Sequence, residues 1–384
     1  MNADSTDIVD DDEVANSLLY RIGSKANSYQ STLERIVLLA NRERKSAKKF
    51  DVPLQRRLWL WRHGFLTEAG VYFDLNQETV DDYLTNYQRD VKTKDINGKT
   101  GRVLDDKLVF HQLLSNDFDE YLPDLYTYIT ENTFHNIDLN EQADVKKTVL
   151  EKITEGNGVV CKPRVGGGGE GVYIIQGTDE GYRINDRAAL LSDVTELLTS
   201  LDEYLIYQKV QQGEYAEAIY PNSTNTIRVL TMIEPDTGDP FVGGVGHRFG
   251  ADSSAPVDNW SSGGITSSID HSTESLGPAV RWTEERGKHC LDTHPDTGVE
   301  ITGTTVPEWS TTVDSLLLIA GEYPYLPYIG WDITITGDTG EFKIIEGNRY
   351  SDIRVLQIHK PLLDNERNKN FYNHYGITSS NDLQ

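Results

Sequence analysis

Hydrophobic and polar positions form their clearest pattern between Val159 and Ile175, where two short apolar runs flank a loop rich in glycine. The runs are Val159-Val160 and Val172–Ile175, and their β-branched side chains are typical of strands. Glycine fills five of the six positions 166–171, and only glycine lets a backbone turn tightly and approach a ligand without a Cβ atom. The pattern predicts a strand, a glycine loop and a second strand.

A helical spacing of apolar residues, three or four positions apart, recurs on both sides of this hairpin. From Ser31 onward, Leu33, Ile36, Val37 and Ala40 share one helix face, and a basic run follows them. In a helix predicted over 104–114, Asp105 or Asp106 serves as the N-cap, and Lys107 lies in the first turn, where a cation is unfavourable for the helix dipole. Further helices are predicted over Leu54–Phe65, Asn76–Asp90, Asp144–Ile153, Arg187–Leu201 and Pro307–Ala320.

Strands are predicted where apolar residues run continuously or alternate with polar ones. Two of them, over 328–336 and 341–348, flank a turn at Gly337 to Gly340 and form a hairpin. The segment 271–307 is rich in turn residues and predicts few strands. The remaining strands are predicted over Leu205–Val210, Thr226–Ile233 and Phe241–Phe249, the last two as a pair.

The composition is that of an acidic, folded protein. Its 384 residues allow two or three packed units, and 36 Lys and Arg against 61 Asp and Glu give a net charge of −25. This charge argues against a nucleic-acid or anionic-membrane partner and favours a halophilic source. Cys161 and Cys290 are too few for a disulfide framework or a thiolate zinc site.

The ends of the chain differ from its middle. Acidic residues with little to bury predict a disordered leader over 1–15, and 377–384 form a tail. Helical patterns without strands predict an N-terminal helical region over 16–95. The polar start has no signal region, and no apolar run reaches the roughly 18 residues of a membrane span, so a cytoplasmic protein without such a span is expected. The oligomeric state is left open.

The glycine loop suits phosphate binding, but not in either of the common nucleotide motifs. Gly166, Gly168 and Gly171 match G-x-G-x-x-G, yet that fingerprint needs a following helix, and here a strand follows. The Walker A motif fails because no Lys-Ser or Lys-Thr comes after the last glycine. A hairpin loop that closes over nucleotide phosphates remains, with Lys162 on the preceding strand as a point charge; an unliganded surface hairpin is the alternative.

Charged side chains inside apolar strands mark a second set of candidates. Arg228 interrupts an apolar strand, where a lone charge is costly unless it meets an anion; a phosphate and a structural ion pair are both open. Asp332 lies on one strand of the C-terminal hairpin, and Glu346 and Asn348, two apart, face the same side of the other. Such oxygen donors suit Mg²⁺.

The order of these parts resembles the ATP-grasp superfamily over about 103–357, and most closely its sugar-transfer associated proteins, related to α-L-glutamate ligases. The residues that carry the resemblance are Lys162-Pro163 before the glycine loop, Gln208-Lys209-Val210, Asn225-Thr226-Ile227-Arg228, Gly330-Trp331-Asp332 and Glu346-Gly347-Asn348. The resemblance implies an α+β fold over 96–376, in which two subdomains grip ATP, with a lid over about 145–203. The helical region before it departs from the usual α/β domain.

The resemblance also implies roles for individual residues. Lys162 and Lys107 would contact ATP phosphates under a lid loop formed by Gly166, Gly167, Gly168, Gly169 and Gly171. Gln208, Lys209 and Val210 would meet adenine, and Glu214 or Glu217 the ribose. Asp332, Glu346 and Asn348 would hold Mg²⁺, with Mn²⁺ as an alternative. Arg228 would face the transferred phosphate, with Arg248 and Asn259 near the substrate.

The chemistry implied is an ADP-forming ligation. A substrate carboxylate attacks the γ-phosphate of ATP to give an acylphosphate, and an amine then displaces phosphate. The resemblance links this activity to glycan or cell-envelope metabolism. Two alternatives are a kinase that phosphorylates a sugar or another hydroxyl, and a non-catalytic ATP-binding module. The acid and the amine have no signature in the sequence.

Overall fold

The computed structural model describes residues 32–137, 145–155, 157–284 and 287–378. The predicted leader over 1–15 and the tail from 379 onward lie outside these ranges. The chain divides into two compact units: an N-terminal unit of residues 1–70 and 85–93, and a main unit of residues 71–84 and 94–384.

The N-terminal unit is helical where the structure describes it. Helix α1 spans 32–49 and α2 spans Leu54–Arg62, as the apolar spacing predicts. A π-helical turn, Gln88–Lys92, lies in residues 85–93, where the chain returns to this unit and which we call the returning segment. Helix α3 (Ala69–Tyr72) begins at the end of the segment 1–70.

The helix predicted over Asn76–Asp90 is wrong over most of its length, since only residues 86–90 are helical. Its stretch within the main unit contains only a 3₁₀ turn, Val80–Asp82, after which Tyr83 is extended. The Asn76 side chain accepts hydrogen bonds from nearby backbone amides and forms a turn instead of a helix. Farther on, the Gln357 amide receives Leu84 N–H at 2.7 Å and donates to Leu84 O at 3.1 Å. This tertiary contact replaces the hydrogen bonds that a helix would make.

In the main unit, the first sheet has seven antiparallel strands in the order β2-β1-β7-β3-β4-β5-β6. Helices α5 (Val145–Glu155) and α6 (Leu191–Ser200) cover one face with apolar side chains. The glycine hairpin forms β3 and β4 as predicted, whereas the predicted helix over Arg187–Leu201 starts only after a strand. The strands are β1 (Leu125–Thr130), β2 (Thr133–Asn136), β3 (Val159–Pro163), β4 (Tyr173–Thr178), β5 (Gly181–Ile184), β6 (Arg187–Ala189) and β7 (Tyr204–Gln208).

The second sheet also has seven strands, in the order β14-β13-β10-β9-β8-β15-β16. Helices α4 (Lys107–Phe118) and α8 (Trp309–Gly321) share its apolar core. Its strands include the predicted pair β8 and β9 and the predicted hairpin β15 and β16. The strands are β8 (Ile227–Ile233), β9 (Pro240–Phe249), β10 (Ile265–Ser267), β13 (Ala279–Thr283), β14 (Gly287–Leu291), β15 (Tyr328–Ile335) and β16 (Phe342–Asn348).

The segment 271–307 contains more strand than its sequence predicts. Strands β13 and β14 form a hairpin, and β11 (Ile269–Asp270) pairs with β12 (Ser275–Leu276) in a small sheet. The turn residues lie between these strands. Short helices α7 (Glu214–Ile219), α9 (Arg354–Gln357) and α10 (Glu366–His374) complete the unit. Among the described residues, no helix is long and apolar enough to cross a membrane.

Candidate functional site

Lys162 faces away from the helices that cover the first sheet. Val159 and Cys161 of β3 lie in the apolar core beside α5 and α6, so strand alternation places Lys162 on the opposite face. Its ammonium nitrogen lies 5.5 Å from the centre of the Tyr207 ring. Burial lowers the pKa of Lys162 to about 8, although the Glu346 carboxylate opposes this shift. The side chain is therefore a cation at neutral pH that an anionic ligand would stabilise.

Three charged side chains lie opposite one another across neighbouring strands of the second sheet. Arg228 on β8 pairs with Asp332 on β15, and Asp332 pairs with Glu346 on β16. Directly opposed residues of antiparallel strands share a face. Their neighbours along the strands, Val229 and Trp331, belong to the apolar core on the other face. The row of charges thus follows from alternation in three strands.

Asp332 is bound by two arginines. Its Oδ1 accepts from Arg228 Nε at 2.5 Å, and its Oδ2 accepts from Arg228 Nη2 at 2.9 Å. Arg248 Nη2 lies 3.0 Å from the same Oδ2. Burial raises the pKa of Asp332, but the two guanidinium groups outweigh it and hold the pKa well below its usual range. The structural ion pair left open for Arg228 is therefore present.

Glu346 and Asn348 differ from Asp332 because no arginine binds them among the described contacts. Burial and the neighbouring Asp332 carboxylate raise the pKa of Glu346, against the lowering effect of Lys107 and Lys162. The Asn348 amide nitrogen donates to Gly330 O at 3.1 Å and to Glu346 Oε1 at 3.3 Å. The Asn348 amide oxygen is thereby oriented as an acceptor beside a carboxylate whose charge is poorly neutralised.

The start of α4 is attached to the glycine loop. Asp106 caps the helix by accepting from the Leu108 and Val109 amides, as predicted, and also binds Arg164 Nη2 at 2.7 Å. Burial raises the pKa of Asp106, but the hydrogen bonds from Arg164 and the helix amides bring it below its ordinary value. Lys107 Nζ donates to Gly166 O at 2.6 Å. Lys107 is thus directed toward the loop that follows Lys162.

On its other side, the glycine loop contacts the segment between β9 and β10. Asn259 Nδ2 donates to Gly168 O at 3.0 Å. At Gly169, where φ is +77°, an added Cβ would lie 2.9 Å from Val257 Cγ1. Gly167 has open space around it and no such φ. The loop is therefore packed closely at Gly169 and loosely at Gly167.

The residues predicted to meet adenine, Gln208, Lys209 and Val210, lie at the end of β7. Gln208 N–H donates to Asp124 O, and Lys209 N–H donates to Gly158 O at 3.2 Å. Val210 is buried. Glu214 is exposed in the first turn of α7 and makes no contact with the charged row in the described structure, whereas Glu217 accepts from Gln212 at 2.7 Å. Among the described contacts, none joins Gln208, Lys209, Val210 or Glu214 to the charged row.

Two residues of the site escaped the sequence-based prediction. Asp258 is buried, accepts from Thr226 N–H at 2.8 Å, and lies 3.4 Å from Arg248 Nε. Its position next to Asn259 was the available signal. Arg164 follows directly after the end of β3, between Lys162 and the glycine loop, and that proximity in sequence was the available signal.

The donor set fits a divalent metal in part. Glu346 and the Asn348 amide oxygen are hard oxygen donors of the type Mg²⁺ prefers, and the incomplete neutralisation of Glu346 suits a cation. Asp332 already binds two arginines and could contribute only by sharing its oxygens. No group of three or more His, Cys, Asp or Glu side chains suited to a metal occurs in the described residues.

A family model described as sugar-transfer associated ATP-grasp matches residues 85–370, which include the glycine loop and the charged row. A search of curated proteins gave no match.

Several solved structures are similar over part of their length. D-alanine–D-alanine ligase from Bacillus anthracis is 14% identical, with 72% of this chain and 70% of that chain covered and a TM-score of 0.36. D-alanyl-alanine synthetase A from Vibrio cholerae is 12% identical, with 73% and 65% covered and a TM-score of 0.40. L-amino acid ligase from Bacillus licheniformis is 10% identical, with 65% and 41% covered and a TM-score of 0.31. At these TM-scores the likenesses support no inference about activity.

Proposed function

The chain belongs to the sugar-transfer associated ATP-grasp family, and on this premise we propose that it is an ATP- and Mg²⁺-dependent, ADP-forming ligase that joins a carboxylate to an amine. Its pathway would be glycan or cell-envelope metabolism. One observation carries the proposal: two lysines from the first half of the main unit lie near a row of carboxylates and arginines on the second sheet. This arrangement suits a polyphosphate that needs both cations and metal-ligating oxygens.

Lys162 and Lys107 would bind the ATP phosphates. Lys162 carries its charge in a half-buried position, where its attraction to an anion is stronger than it would be in water. Lys107 now donates to Gly166 O, so the same ammonium group can hold the glycine loop and a phosphate oxygen in turn. Backbone N–H groups of Gly166 to Gly171 would complete the phosphate contacts.

The adenine would bind at the end of β7. Gln208 N–H and Lys209 N–H already donate hydrogen bonds to Asp124 O and Gly158 O. The Lys209 carbonyl and the Val210 N–H are therefore the backbone groups best suited to bind an adenine edge. Gln208 would contribute its side chain. Glu214, exposed nearby in sequence at the start of α7, would accept from the ribose hydroxyls.

Glu346 and Asn348 would hold the metal, with Asp332 sharing an oxygen. A bound Mg²⁺ would supply charge neutralisation for the phosphate oxygens, and Mn²⁺ would substitute for it. Arg228 and Arg248 keep Asp332 charged and are themselves held in place by it. Arg228 would stabilise charge on the transferred phosphoryl group, and Arg248 and Asn259 would orient the acid.

In the proposed reaction, a carboxylate oxygen attacks the γ-phosphorus, the bond to ADP breaks, and an acylphosphate forms. The amine nitrogen then attacks the acyl carbon, loses one proton and releases phosphate. The protein aligns the reactants and neutralises charge, and no side chain acts as a nucleophile. The complete set of Asp332, Glu346 and Asn348 supports catalysis over the alternative of a non-catalytic ATP-binding module.

The test follows phosphorus species by NMR while the protein turns over ATP with Mg²⁺ and fractionated acids and amines, at low and high KCl. We expect ADP and free phosphate only when an acid and an amine are both present. The Glu346→Gln variant should lose about 10²-fold or more of this turnover while its circular dichroism stays unchanged. Glu341→Gln, in the turn of the same hairpin and exposed, is the matched control and should retain full activity.

Other outcomes would reassign the protein. ADP together with a new phosphate ester would make it a kinase acting on a hydroxyl. Nucleotide binding without turnover under any condition would make it a binding module. Full activity in Glu346→Gln would remove the metal assignment.

A further inference from the structure

The N-terminal helices carry a charge opposite to that of the whole protein. Residues 32–63 contain nine Lys and Arg against three Asp and Glu, a net charge of +6, whereas the complete chain carries −25. Charges beyond roughly 10 Å are screened at about 0.1 M salt, so a surface that approaches these helices meets the local charge rather than the average. The overall acidity therefore does not decide what this region binds.

Helix α1 packs against its own unit through polar side chains. Arg42 Nη2 binds Glu68 Oε1 at 2.7 Å, and its other terminal nitrogen binds Asp90. Glu43 accepts from the Thr67 amide at 2.8 Å and from the Thr67 hydroxyl at 2.6 Å. The inward face of α1 is thus held by ion pairs and hydrogen bonds, not by the apolar residues that its sequence spacing aligns.

The apolar residues of α1 face outward instead. Leu33 is 63% exposed and Val37 is 58% exposed, and Ile36 and Leu38 accompany them. On α2 the same holds at i, i+4 and i+7, where Leu54, Leu58 and Trp61 are exposed. In the part of the chain that the structure describes, these two helices hold the largest group of exposed large apolar side chains. Such a group on a folded protein marks an interaction surface.

Basic residues continue the same exposed stripe. Arg44 and Lys48 lie 11 and 15 residues after Leu33, which at 3.6 residues per turn puts them on the stripe of Leu33 and Val37. Lys45 and Arg62 are also exposed. We use the name basic apolar face for the exposed apolar and basic residues of these two helices: Leu33, Ile36, Val37, Leu38, Arg44, Lys45, Lys48, Leu54, Leu58, Trp61 and Arg62.

A second copy of the chain is a poor occupant of the basic apolar face. Two such faces packed together would oppose four basic side chains, Arg44, Lys45, Lys48 and Arg62, with the same four. The main unit of another copy offers negative charge, but its exposed large apolar side chains in the described residues are scattered: Val109, Val165, Leu190, Leu191, Leu318 and Tyr325. An anionic lipid surface offers both negative charge and an apolar contact. Its headgroups attract Lys and Arg, and its interface accepts Leu, Val and Trp without shape complementarity.

We propose that the basic apolar face binds peripherally to an anionic lipid surface, with α1 and α2 lying on the headgroups. The apolar side chains enter the interface and the basic side chains contact lipid phosphates. This binding is independent of the proposed ligase activity.

Flotation of the full chain with vesicles tests this proposal. Vesicles of phosphatidylglycerol and phosphatidylcholine in equal parts are compared with phosphatidylcholine alone at 50 mM KCl. We expect binding only to the anionic vesicles and at least a tenfold weaker affinity for the Arg44→Glu/Lys48→Glu variant, since each basic residue near such a surface contributes about 1 kcal/mol. Lys147→Glu/Lys360→Glu makes the same charge change at exposed positions elsewhere and should bind within about twofold of the wild type.

The apolar part of the face needs its own variant. Leu33→Ser/Val37→Ser should weaken binding about fivefold and make the remaining binding more sensitive to KCl, whereas Leu318→Ser, at a similarly exposed residue of α8, should have no effect. No binding to anionic vesicles, or equal loss in the control variants, would overturn the proposal. A concentration-dependent dimer in size-exclusion chromatography that the same α1 substitutions dissociate would assign the face to a second copy instead.

Discussion

Asp332 in the second sheet and Asp90 in the N-terminal unit are both buried, and each is bound by two arginines. Asp332 is paired with Arg228 and Arg248, and Asp90 with Arg42 and Arg89. The arginine side chains around Asp332 are 6% and 13% exposed, against 34% and 16% around Asp90.

The surroundings separate the two clusters more than the ion pairs do. Beside Asp332 lie Glu346 and Asn348, whose oxygens no arginine occupies in the described structure, and the cation Lys162. Asp90 has no comparable oxygen donors among its described contacts, and Arg42 fastens α1 to the segment that contains both Arg89 and Asp90. A buried Asp bound by two arginines is therefore not a site by itself. The additional donors and cations with unused capacity make the second-sheet cluster a candidate for ligand binding.

The largest effect is expected at Asp332. In Asp332→Ala, two arginines lose their counterion in a buried position, so we expect the free energy of unfolding of the main unit to fall by about 3–5 kcal/mol and ATP turnover to be lost. Urea denaturation followed by tryptophan fluorescence measures the stability. Asp338→Ala, in the exposed turn of the same hairpin, is the control and should stay within about 0.5 kcal/mol. A stability loss at Asp332 no greater than at Asp338 would contradict the comparison.

A substitution in the glycine loop should change ATP binding at the second-sheet cluster and leave the N-terminal cluster unaffected. In Gly169→Ala, the new Cβ meets Val257 and the residue keeps a positive φ, which together cost about 1–3 kcal/mol. We expect KM for ATP to rise about tenfold to a hundredfold, measured by steady-state ADP release. Gly167→Ala adds the same methyl group in open space and should leave KM unchanged within about threefold. Equal effects at both glycines would show that the packing against Val257 does not position the loop.

The pH dependence of ATP binding should report Lys162. Burial lowers its pKa to about 8, so the ammonium group loses its proton as the pH rises through that value, and ATP affinity should fall about tenfold between pH 7 and pH 9. Calorimetric titration at several pH values measures this. In Lys162→Arg the guanidinium remains charged throughout, so the fall should disappear. An unchanged pH profile in that variant would remove Lys162 as its source.

The smallest effect is expected in the N-terminal unit. Asp90→Ala frees arginines that already reach water, so we expect a stability loss of about 1 kcal/mol and no change in ATP turnover. Thermal unfolding and the ADP assay measure the two quantities. Loss of ATP turnover in Asp90→Ala would break the distinction between a structural and a ligand-binding cluster.

The sequence predicted the second sheet better than the N-terminal unit for a physical reason. In a strand with neighbours on both sides, alternation fixes the face of each side chain, so Arg228, Asp332 and Glu346 fall in one row once the strands are known. In α1 the apolar spacing aligned Leu33 and Val37 on one face without showing whether that face is buried, and the structure exposes it while Arg42 binds Glu68. Periodicity therefore identified the helix and not its buried side.

Other misses came from contacts that are distant in sequence. Nothing near Leu84 indicates that Gln357 will bind its backbone from 273 residues away, so the helix over Asn76–Asp90 was predicted from its local pattern and was wrong over most of its length. Asp258 lacked a periodic setting because it lies in the loop between two strands. The strands β13 and β14 were hidden by the turn residues that precede β13 and follow β14.

Asp106 has two structural roles that different side chains usually share: it caps a helix and it binds an arginine of a neighbouring loop. The same carboxylate holds the first amides of α4 and the Arg164 side chain beside the glycine loop. If the loop opens and Arg164 withdraws, the helix end loses part of the support that keeps its cap in place. We therefore expect the rate of hydrogen exchange at the Leu108 and Val109 amides to follow the rate of loop opening. Exchange at these two amides would then report nucleotide entry and release.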